Sequence, residues 1–466
     1  MEQLKQHWNS PEAIRELIIR LVSVPSISGT DGETRMAETI VEILQEIPYF
    51  QSHPEHVMSI PVPGDPLSRF SVAALYKASV PTTKTIVLLS HFDVVGVEDF
   101  GLMKRYAFKP EMYTDMLRTV YYETLGQEAK YDLDSGDWLF GRGVMDMKAG
   151  LAIQLAVLSE IAQKQDFDGN ILLLATPDEE ISSEGMFAAV PYLNQLRKQY
   201  GLEYSVCICS EPNFSSYPGD RAKHICTGSV GKLLPLIFCV GKETHAGEPI
   251  EGVNAGWMAA EIVNRMELSD AFVDRLKEEK SPPPTCLKVS DLKSQYDVQT
   301  PSQAYVLYNI LTLSQKPGEV LQKIKSIAED AAGAIYERVA NKHLMYAGVE
   351  SPKVSRPAVY EYSELYEKGV RQFGKHFEES IATVMDEGIK RNLDSQNLSV
   401  KIAEETSKFF MEEGPFYLIL FAPPYYPHVY LDRTSEEEKH LLSIVDEVVK
   451  DAEEQYGEKI EGKKFL

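Results

Sequence analysis

Three short apolar segments, separated by sequence of helical character, constrain the fold of this chain more than any other feature. They are residues 85–89, 170–175 and 205–209, and each is continuously apolar, as is typical of strands buried in a parallel sheet. Between the first two, residues 148–162 are rich in Ala and Leu and carry an apolar face, which predicts a helix. This β-α-β order predicts an α/β fold with right-handed crossovers.

Length and charge exclude several classes of protein. The chain has 466 residues, about three times the ~150 of a typical domain, so we expect at least two domains. Lys and Arg number 47 against 70 Asp and Glu, a net charge of −23, and a nucleic-acid binder would need a basic face instead. No apolar run approaches the ~20 residues of a membrane span and the N-terminus lacks a signal-like core, so we expect a cytoplasmic protein that binds no membrane. The five cysteines contain no CxxC pair and are expected to be reduced thiols.

The order of predicted elements changes near residue 227. From there it becomes strand, helix, strand, strand, helix, which suits a small α+β domain with an antiparallel sheet. Residues 416–421 form a further apolar segment before a capped helix, and we expect them to return to the first sheet. The predicted first domain is therefore discontinuous, with the second inserted into it: residues 1–226 and 416–466, and residues 227–415.

Polar side chains follow each of the three predicted strands directly. They are His91 and Asp93 after the first strand, Glu179 and Glu180 after the second, and Glu211 after the third. Side chains just beyond the carboxyl ends of parallel strands converge on one crevice, and Asp146 joins them from a glycine-rich loop that leads into the predicted helix. Like charges ~4 Å apart repel by about 4 kcal/mol at an effective dielectric of 20, so we expect a divalent cation to neutralise the group.

The residue types indicate which metal and which chemistry. Histidine and carboxylate ligands suit zinc, with cobalt or manganese as alternatives. Asp93 lies two residues from His91 and can orient its imidazole through a hydrogen bond. Glu179 and Glu180 are neighbours that point apart, so one can bind metal while the other acts as a general base for water. The residues alone leave open which of the two does which.

Six motifs together make the sequence resemble the M20 metallopeptidase family, which includes deacylases, carboxypeptidases and desuccinylases. They are His-Phe-Asp at 91–93, Gly-Arg-Gly at 141–143, Asp-Met-Lys at 146–148, Thr-Pro-Asp-Glu-Glu at 176–180, Glu-Pro at 211–212 and Gly-Lys-Glu-Thr-His-Ala-Gly at 241–247. The resemblance implies a phosphorylase/hydrolase-like α/β catalytic domain with an inserted α+β dimerisation, or lid, domain. It also implies a homodimer that forms through the inserted domain.

The resemblance implies a site for two divalent metal ions. Asp146 would bridge the two ions, His91 and Glu211 would bind one of them, and Glu180 would bind the other.

The same resemblance assigns catalytic roles. Glu179 would be the general base, Asp93 the orienting carboxylate, and His245 an oxyanion stabiliser that reaches the partner subunit. The expected reaction is metal-dependent hydrolysis of an amide or peptide bond in a small amino-acid derivative or short peptide. A long acidic and aromatic interval over residues 97–131 resembles a branch of the family associated with arginine utilisation, so arginine degradation is the expected pathway.

Two departures from the family pattern keep an alternative open. Leu311 stands where family members commonly place an Arg that binds the substrate carboxylate. In the family, the last metal-ligating histidine follows a further strand near the C-terminus. This chain stops at about the start of that strand, so it is expected to be a fragment or a natural short form. His428 is the nearest substitute, although it precedes the helix that should come before that strand. The alternative is a catalytically silent relative that binds an amino acid or a pathway partner. A phosphoesterase is a weaker third hypothesis, since no phosphate-binding loop is evident.

Overall fold

The computed structural model describes residues 8–212, 223–348, 354–391, 393–457 and 459–465. The chain divides into two compact units, Met1–Ser216 and Tyr217–Leu466, called unit 1 and unit 2 below. No helix in the described ranges is both long enough and apolar enough to cross a membrane.

Unit 1 contains one five-stranded sheet with the strand order β1-β2-β4-β3-β5. The three strands predicted from sequence are β3, β4 and β5, and they pair in parallel as expected. The expectation that all three are buried is wrong for β5, an edge strand whose side chains are mostly exposed. The other two, β1 and β2, were not predicted and pair antiparallel, so the sheet is mixed. The strands are β1 (Val57–Pro61), β2 (Phe70–Tyr76), β3 (Lys84–His91), β4 (Asn170–Thr176) and β5 (Glu203–Cys209).

Helices cover both faces of this sheet. The helices of unit 1 are α1 (Pro11–Val22), α2 (Gly32–Gln45), α3 (Pro48–Ser52), α4 (Pro110–Thr119), α5 (Gln127–Ser135), α6 (Ala149–Lys164) and α7 (Glu184–Tyr200). Leu173 of β4 packs with α1, α2 and α6 on one face, whereas Leu172 and Leu174 pack with α7 on the other. This two-sided burial explains why the strand is apolar at successive positions.

Unit 2 is built on a second five-stranded sheet with the order β11-β12-β8-β14-β13. Its pairs are antiparallel except for β13 with β14. The strands of the unit are β6 (Lys223–Cys226), β7 (Gly228–Ser229), β8 (Gly231–Val240), β9 (Arg275–Leu276), β10 (Glu279–Lys280), β11 (Thr285–Asp291), β12 (Gln303–Thr312), β13 (Ala358–Glu361), β14 (Phe416–Tyr426), β15 (Val429–Tyr430) and β16 (Ile460–Lys463).

Two layers of helices enclose the second sheet. The helices of unit 2 are α8 (Ala255–Met266), α9 (Pro317–Ala347), α10 (Tyr362–Phe373), α11 (Lys375–Lys390), α12 (Ser395–Lys408) and α13 (Glu436–Tyr456), the last of which packs against β16. Helices α8 and α9 pack on one face of the sheet, and α10, α11 and α12 pack on the other. Residues 360–414 were predicted to be mostly helical, with no position in the fold assigned to them. In the structure, their helices α10, α11 and α12 cover the second face of the sheet.

The prediction that residues 416–421 return to the first sheet is wrong. Strand β14 pairs with β8 along Phe416–Ala422 and therefore belongs to the sheet of unit 2. Its side chains are buried on both faces, with Ile419 among α8 and α9 and Leu418 among α10 to α12. An antiparallel strand covered on both faces carries the same continuous apolar pattern as a parallel one, which caused the misplacement. The catalytic and dimerisation roles assigned to the two parts stay predictions.

Candidate metal centre

The carboxyl ends of three parallel strands meet at one edge of the unit 1 sheet. His91 is the last residue of β3 and lies opposite Thr176 at the end of β4, while Leu89 lies opposite Cys209 at the end of β5. The N-terminal end of α6 reaches the same edge because Gly150 has no side chain. A Cβ atom at that position would lie 2.1 Å from the carbonyl oxygen of Ser210. The polar residues after each strand are thereby brought together with the loop that precedes α6.

Three of the predicted ligands converge at this edge. The Nε2 atom of His91 lies 3.0 Å from Oδ1 of Asp146 and 3.7 Å from Oε1 of Glu211. One nitrogen or oxygen atom from each of the three residues lies within 4.8 Å of the others. His91 is buried, whereas the Asp146 and Glu211 side chains are 45% and 22% exposed and face an accessible space.

The other two glutamate predictions fall beside this cluster. An Oε2 atom of Glu179 lies 4.0 Å from Nε2 of His91, and the Glu179 side chain is half exposed. Glu180 is not one of the three clustered residues, but burial and then the charge of Asp146 raise the pKa of its carboxyl. The structure therefore places both glutamates near the cluster, and their separate roles stay predictions.

The electrostatics of the cluster show how crowded its negative charge is. Burial raises the pKa of Glu211 to about 7, assisted by Asp146, Glu179 and Glu180 and opposed by His91. Burial lowers the pKa of His91, but the carboxylates of Asp146 and Asp93 outweigh burial and raise it to about 11. The imidazole of His91 is thus the nearest positive partner of these carboxylates. The donor set of one imidazole and several carboxylates fits a divalent cation, whose charge would offset theirs.

Asp93 contacts both His91 and the backbone of the glutamate pair. Its Oδ1 atom lies 3.4 Å from Nδ1 of His91, and the same Nδ1 lies at hydrogen-bond distance, 3.1 Å, from the backbone carbonyl oxygen of Asp93. Its two oxygens also accept hydrogen bonds from the backbone N–H groups of Glu179, at 3.0 Å, and Glu180, at 3.2 Å. Burial raises the pKa of Asp93, but hydrogen bonds from His91 and Ser28 lower it overall. The buried Asp93 carboxylate therefore holds the backbone of the glutamate pair, and its role in orienting the His91 imidazole stays a prediction.

Lys148 is a structural residue of the site that the sequence analysis did not single out, although it lies in the Asp-Met-Lys motif. It is fully buried, and its Nζ atom donates hydrogen bonds to the carbonyl oxygens of Leu21, at 3.2 Å, and Val24, at 2.8 Å. Burial lowers the pKa of Lys148 to about 7. The side chain ties the loop that carries Asp146 to the C-terminal end of α1.

The remaining predicted residues lie in unit 2. His245 lies between β8 and α8, where its Nδ1 atom accepts a hydrogen bond from the backbone N–H of Gly247 at 3.0 Å. Leu311 lies in β12 opposite Lys232 of β8. His428 precedes β15, with its ring 6.5 Å from that of Tyr430. The roles considered for His245 and His428 stay predictions.

The peptidase family M20/M25/M40 matches residues 114–454. The chain belongs to this family. The prediction of an M20 member with an α/β fold is therefore confirmed, and the class of reaction is hydrolysis of C–N bonds.

Two proteins of Bacillus subtilis (strain 168) are similar along almost the whole chain. The uncharacterised protein YqjN is 37% identical over 454 residues, which are 97% of this chain and 81% of YqjN. Protein RocB is 30% identical over 464 residues, which are 99% of this chain and 81% of RocB. Among solved structures, a tripeptidase from Staphylococcus aureus has a TM-score of 0.50 at 14% identity, covering 98% of this chain and 85% of that one. This last similarity supports the fold alone.

Proposed function

We propose that the chain hydrolyses an amide or peptide bond in a small amino-acid derivative and uses two divalent metal ions as cofactors. Zinc is the expected metal. The observation that carries the proposal is the convergence of His91, Asp146 and Glu211 to within 4.8 Å beyond the strand ends of unit 1. Family membership supplies the reaction class, and this cluster supplies the place where the reaction would occur.

The proposed ligands are the four residues expected from the family resemblance. His91 and Glu211 would hold one ion, Glu180 the other, and Asp146 both. When bound, such ions act as Lewis acids that polarise a carbonyl oxygen and make water more acidic.

The remaining residues would handle protons and charge. Glu179 would take a proton from the attacking water and deliver it to the nitrogen of the leaving amine as the C–N bond breaks. Asp93 would keep the imidazole of His91 and the Glu179 backbone in place through the bonds described above. His245 would donate a hydrogen bond to the oxyanion of the tetrahedral intermediate in the partner subunit of a dimer. That role requires the imidazole to present an N–H, which Nε2 can do because Nδ1 accepts from Gly247.

The finer parts of the proposal concern substrate and assembly. The similarity to protein RocB over 99% of this chain supports an arginine-related substrate, in line with the branch resemblance of the sequence. We further propose a homodimer that forms through unit 2.

The direct test is Glu179→Gln, which keeps the shape of the side chain and removes its basicity. Release of free amine from N-acyl amino acids and dipeptides, arginine derivatives included, should fall by about 10²- to 10⁴-fold, the usual contribution of general acid–base catalysis. Metal content, measured by mass spectrometry, should stay unchanged. Glu160→Gln, at a half-exposed position of α6 that pairs with Lys164, is the matched control. Wild-type turnover in Glu179→Gln would contradict the assignment.

One competing function is a catalytically silent protein that binds an amino acid or a pathway partner. It is favoured because Leu311 stands where family members commonly have an Arg that binds the substrate carboxylate. The metal content of the purified wild-type chain separates the two. About two ions per chain support the hydrolase. One ion or none at micromolar zinc, without amine release from any substrate, supports the silent relative.

A further inference from the structure

A buried network of charged residues lies behind the turn that carries Glu179 and Glu180. It consists of Arg69, just before β2, and three carboxylates, Glu33 in the first turn of α2, Asp65, and Asp178 after β4. None of the four side chains is more than 9% exposed. Neither the proposed ligands nor the proposed proton transfers use these residues.

Arg69 contacts all three carboxylates through directed hydrogen bonds. Its Nη1 atom lies 2.7 Å from Oδ1 of Asp178 and 3.1 Å from Oε2 of Glu33. Its Nη2 and Nε atoms lie 2.9 and 3.1 Å from Oδ1 of Asp65. The planar guanidinium can serve three acceptors at once because its donors point in fixed directions.

The network holds a backbone conformation that would otherwise be unfavourable. Asp178 has a φ of +66°, in the left-handed region that residues other than glycine seldom adopt. Its backbone N–H donates to Oε1 of Glu33 at 2.9 Å, and its Oδ2 atom accepts from the N–H of Glu184 at 3.2 Å. Such a conformation persists when surrounding contacts over-determine it, and these contacts do so here.

Three consecutive backbone N–H groups are thus fixed by two buried carboxylates. Glu33 accepts from Asp178, and Asp93 accepts from Glu179 and Glu180. The Glu179 side chain is 50% exposed, and its Oε2 atom lies 4.0 Å from Nε2 of His91. The orientation of its backbone sets the direction in which this side chain leaves the turn, and so where its carboxylate can reach.

The charge balance shows why Arg69 is central to this arrangement. Three carboxylates surround one guanidinium, and burial raises the pKa of Glu33 to about 7, opposed first by Arg69. Without the guanidinium, Glu33 and Asp178 would face each other as uncompensated buried groups. Repulsion between them would loosen the bonds that hold the turn.

We propose that Arg69 is a positioning residue for the hydrolytic reaction, which acts through Glu33 and Asp178 to orient the turn that carries Glu179. This inference rests on the proposed function of Glu179 as general base. Arg69 itself touches neither the metal ligands nor, by this proposal, the substrate.

The kinetic test compares Arg69→Met, Arg69→Lys and the control Arg35→Met in the full-length chain. Arg35 pairs with Asp31 on the exposed side of α2, so its loss removes an arginine without touching the network. Arg69→Met should lower kcat about 100-fold, the cost of a displacement of roughly 1 Å in a catalytic group, with KM within about threefold of wild type. Arg69→Lys keeps a cation and should recover part of kcat, and Arg35→Met should behave as wild type.

A second readout does not depend on activity. Hydrogen exchange of the peptide that contains residues 178–184 should speed up at least tenfold in Arg69→Met, while the peptides of α8 and α9 and the zinc content stay unchanged. If Arg69→Met fails to fold, Asp178→Asn replaces it in the test. The Asp178 carboxylate accepts hydrogen bonds from Arg69 and from the backbone N–H of Glu184, and an amide has one oxygen to accept only one of them. We then expect kcat to be about tenfold lower and hydrogen exchange of residues 178–184 to be faster.

The two failures are distinguishable. An inactive wild-type chain, or an active Glu179→Gln chain, would overturn the proposed function. An active wild type whose Arg69→Met variant keeps both kcat and the exchange rate of residues 178–184 would overturn the role of Arg69 alone.

Discussion

Asp274 offers a sharp test of how the second unit is held together. It is 3% exposed, lies in the segment that follows α8, and contacts the turn between β12 and α9. Its Oδ2 atom accepts hydrogen bonds from the backbone N–H groups of Leu313, Ser314 and Gln315 at 2.6 to 2.8 Å. Its Oδ1 atom accepts a further bond from the Ser314 hydroxyl at 2.8 Å. Burial raises the pKa of Asp274, but these bonds outweigh it and lower the pKa from 3.8 to about 2.

The size of the effect follows from that pKa. A fall from 3.8 to about 2 corresponds to about 2.5 kcal/mol of preference for the ionised form in the folded state. Solvent screening reduces this figure, so we expect Asp274→Asn to lower the free energy of unfolding of unit 2 by about 1–2 kcal/mol near neutral pH. The amide keeps one oxygen acceptor for the backbone N–H groups, so the loss reports mainly the charge.

The pH dependence has a defined sign. Because the folded pKa lies below the unfolded one, the contribution is complete above about pH 5 and is lost as the pH falls through 4 towards 2. The difference between wild type and Asp274→Asn should therefore fall to about half at pH 3.

The assay is urea unfolding followed by the fluorescence of Trp257, in a chain whose Trp8 and Trp138 are replaced by Phe. Trp257 lies in α8, so its signal reports unit 2. Asp270→Asn, a change of an exposed carboxylate in the same segment, is the control. A loss below about 0.5 kcal/mol at pH 6, or a loss of the same size at pH 6 and pH 3, would refute the reasoning.

Three further predictions concern the metal cluster, the loop that carries Asp146, and the core of unit 2. If the proposed ligand set holds two divalent ions, His91→Ala should lower the metal content to at most one ion per chain, whereas His440→Ala, at an exposed position of α13, should leave it unchanged. Retention of the wild-type metal content in His91→Ala would contradict the ligand assignment. Lys148→Met should lower the free energy of unfolding of unit 1 by about 1–3 kcal/mol, because the carbonyl oxygens of Leu21 and Val24 lose their buried donor. Urea unfolding followed by circular dichroism measures this, and a midpoint equal to that of the wild type would contradict it. Phe238→Ala, at a fully buried position between β8 and the α10–α12 layer, should cost about 3–5 kcal/mol. Cys239 faces the α8–α9 layer on the other side of the sheet, so its labelling by a thiol reagent, in a chain whose other four cysteines are serine, should speed up because the lower stability raises the unfolded population. Unchanged labelling would contradict the predicted loss of stability.

Local sequence determined the three parallel strands of unit 1 and the group of residues in the candidate site. The apolar segments of β3, β4 and β5, with the Ala- and Leu-rich α6 between the first two, follow the β-α-β order of a parallel sheet. Parallel pairing then places the residues after each strand at one edge. His91, Asp146 and Glu211 could therefore be grouped from spacing and chemistry alone, because the topology leaves them no other place to converge.

Tertiary structure decided what local patterns could not encode. Strand β14 is apolar on both faces, and only its pairing with β8 shows that it belongs to the second sheet. The bond between Glu33 and the N–H of Asp178 joins residues 145 apart in sequence, and Arg69 reaches Asp178 across 109 residues. A carboxylate or guanidinium carries no local signature of its distant partner, and its burial depends on chain segments that meet only in the folded protein.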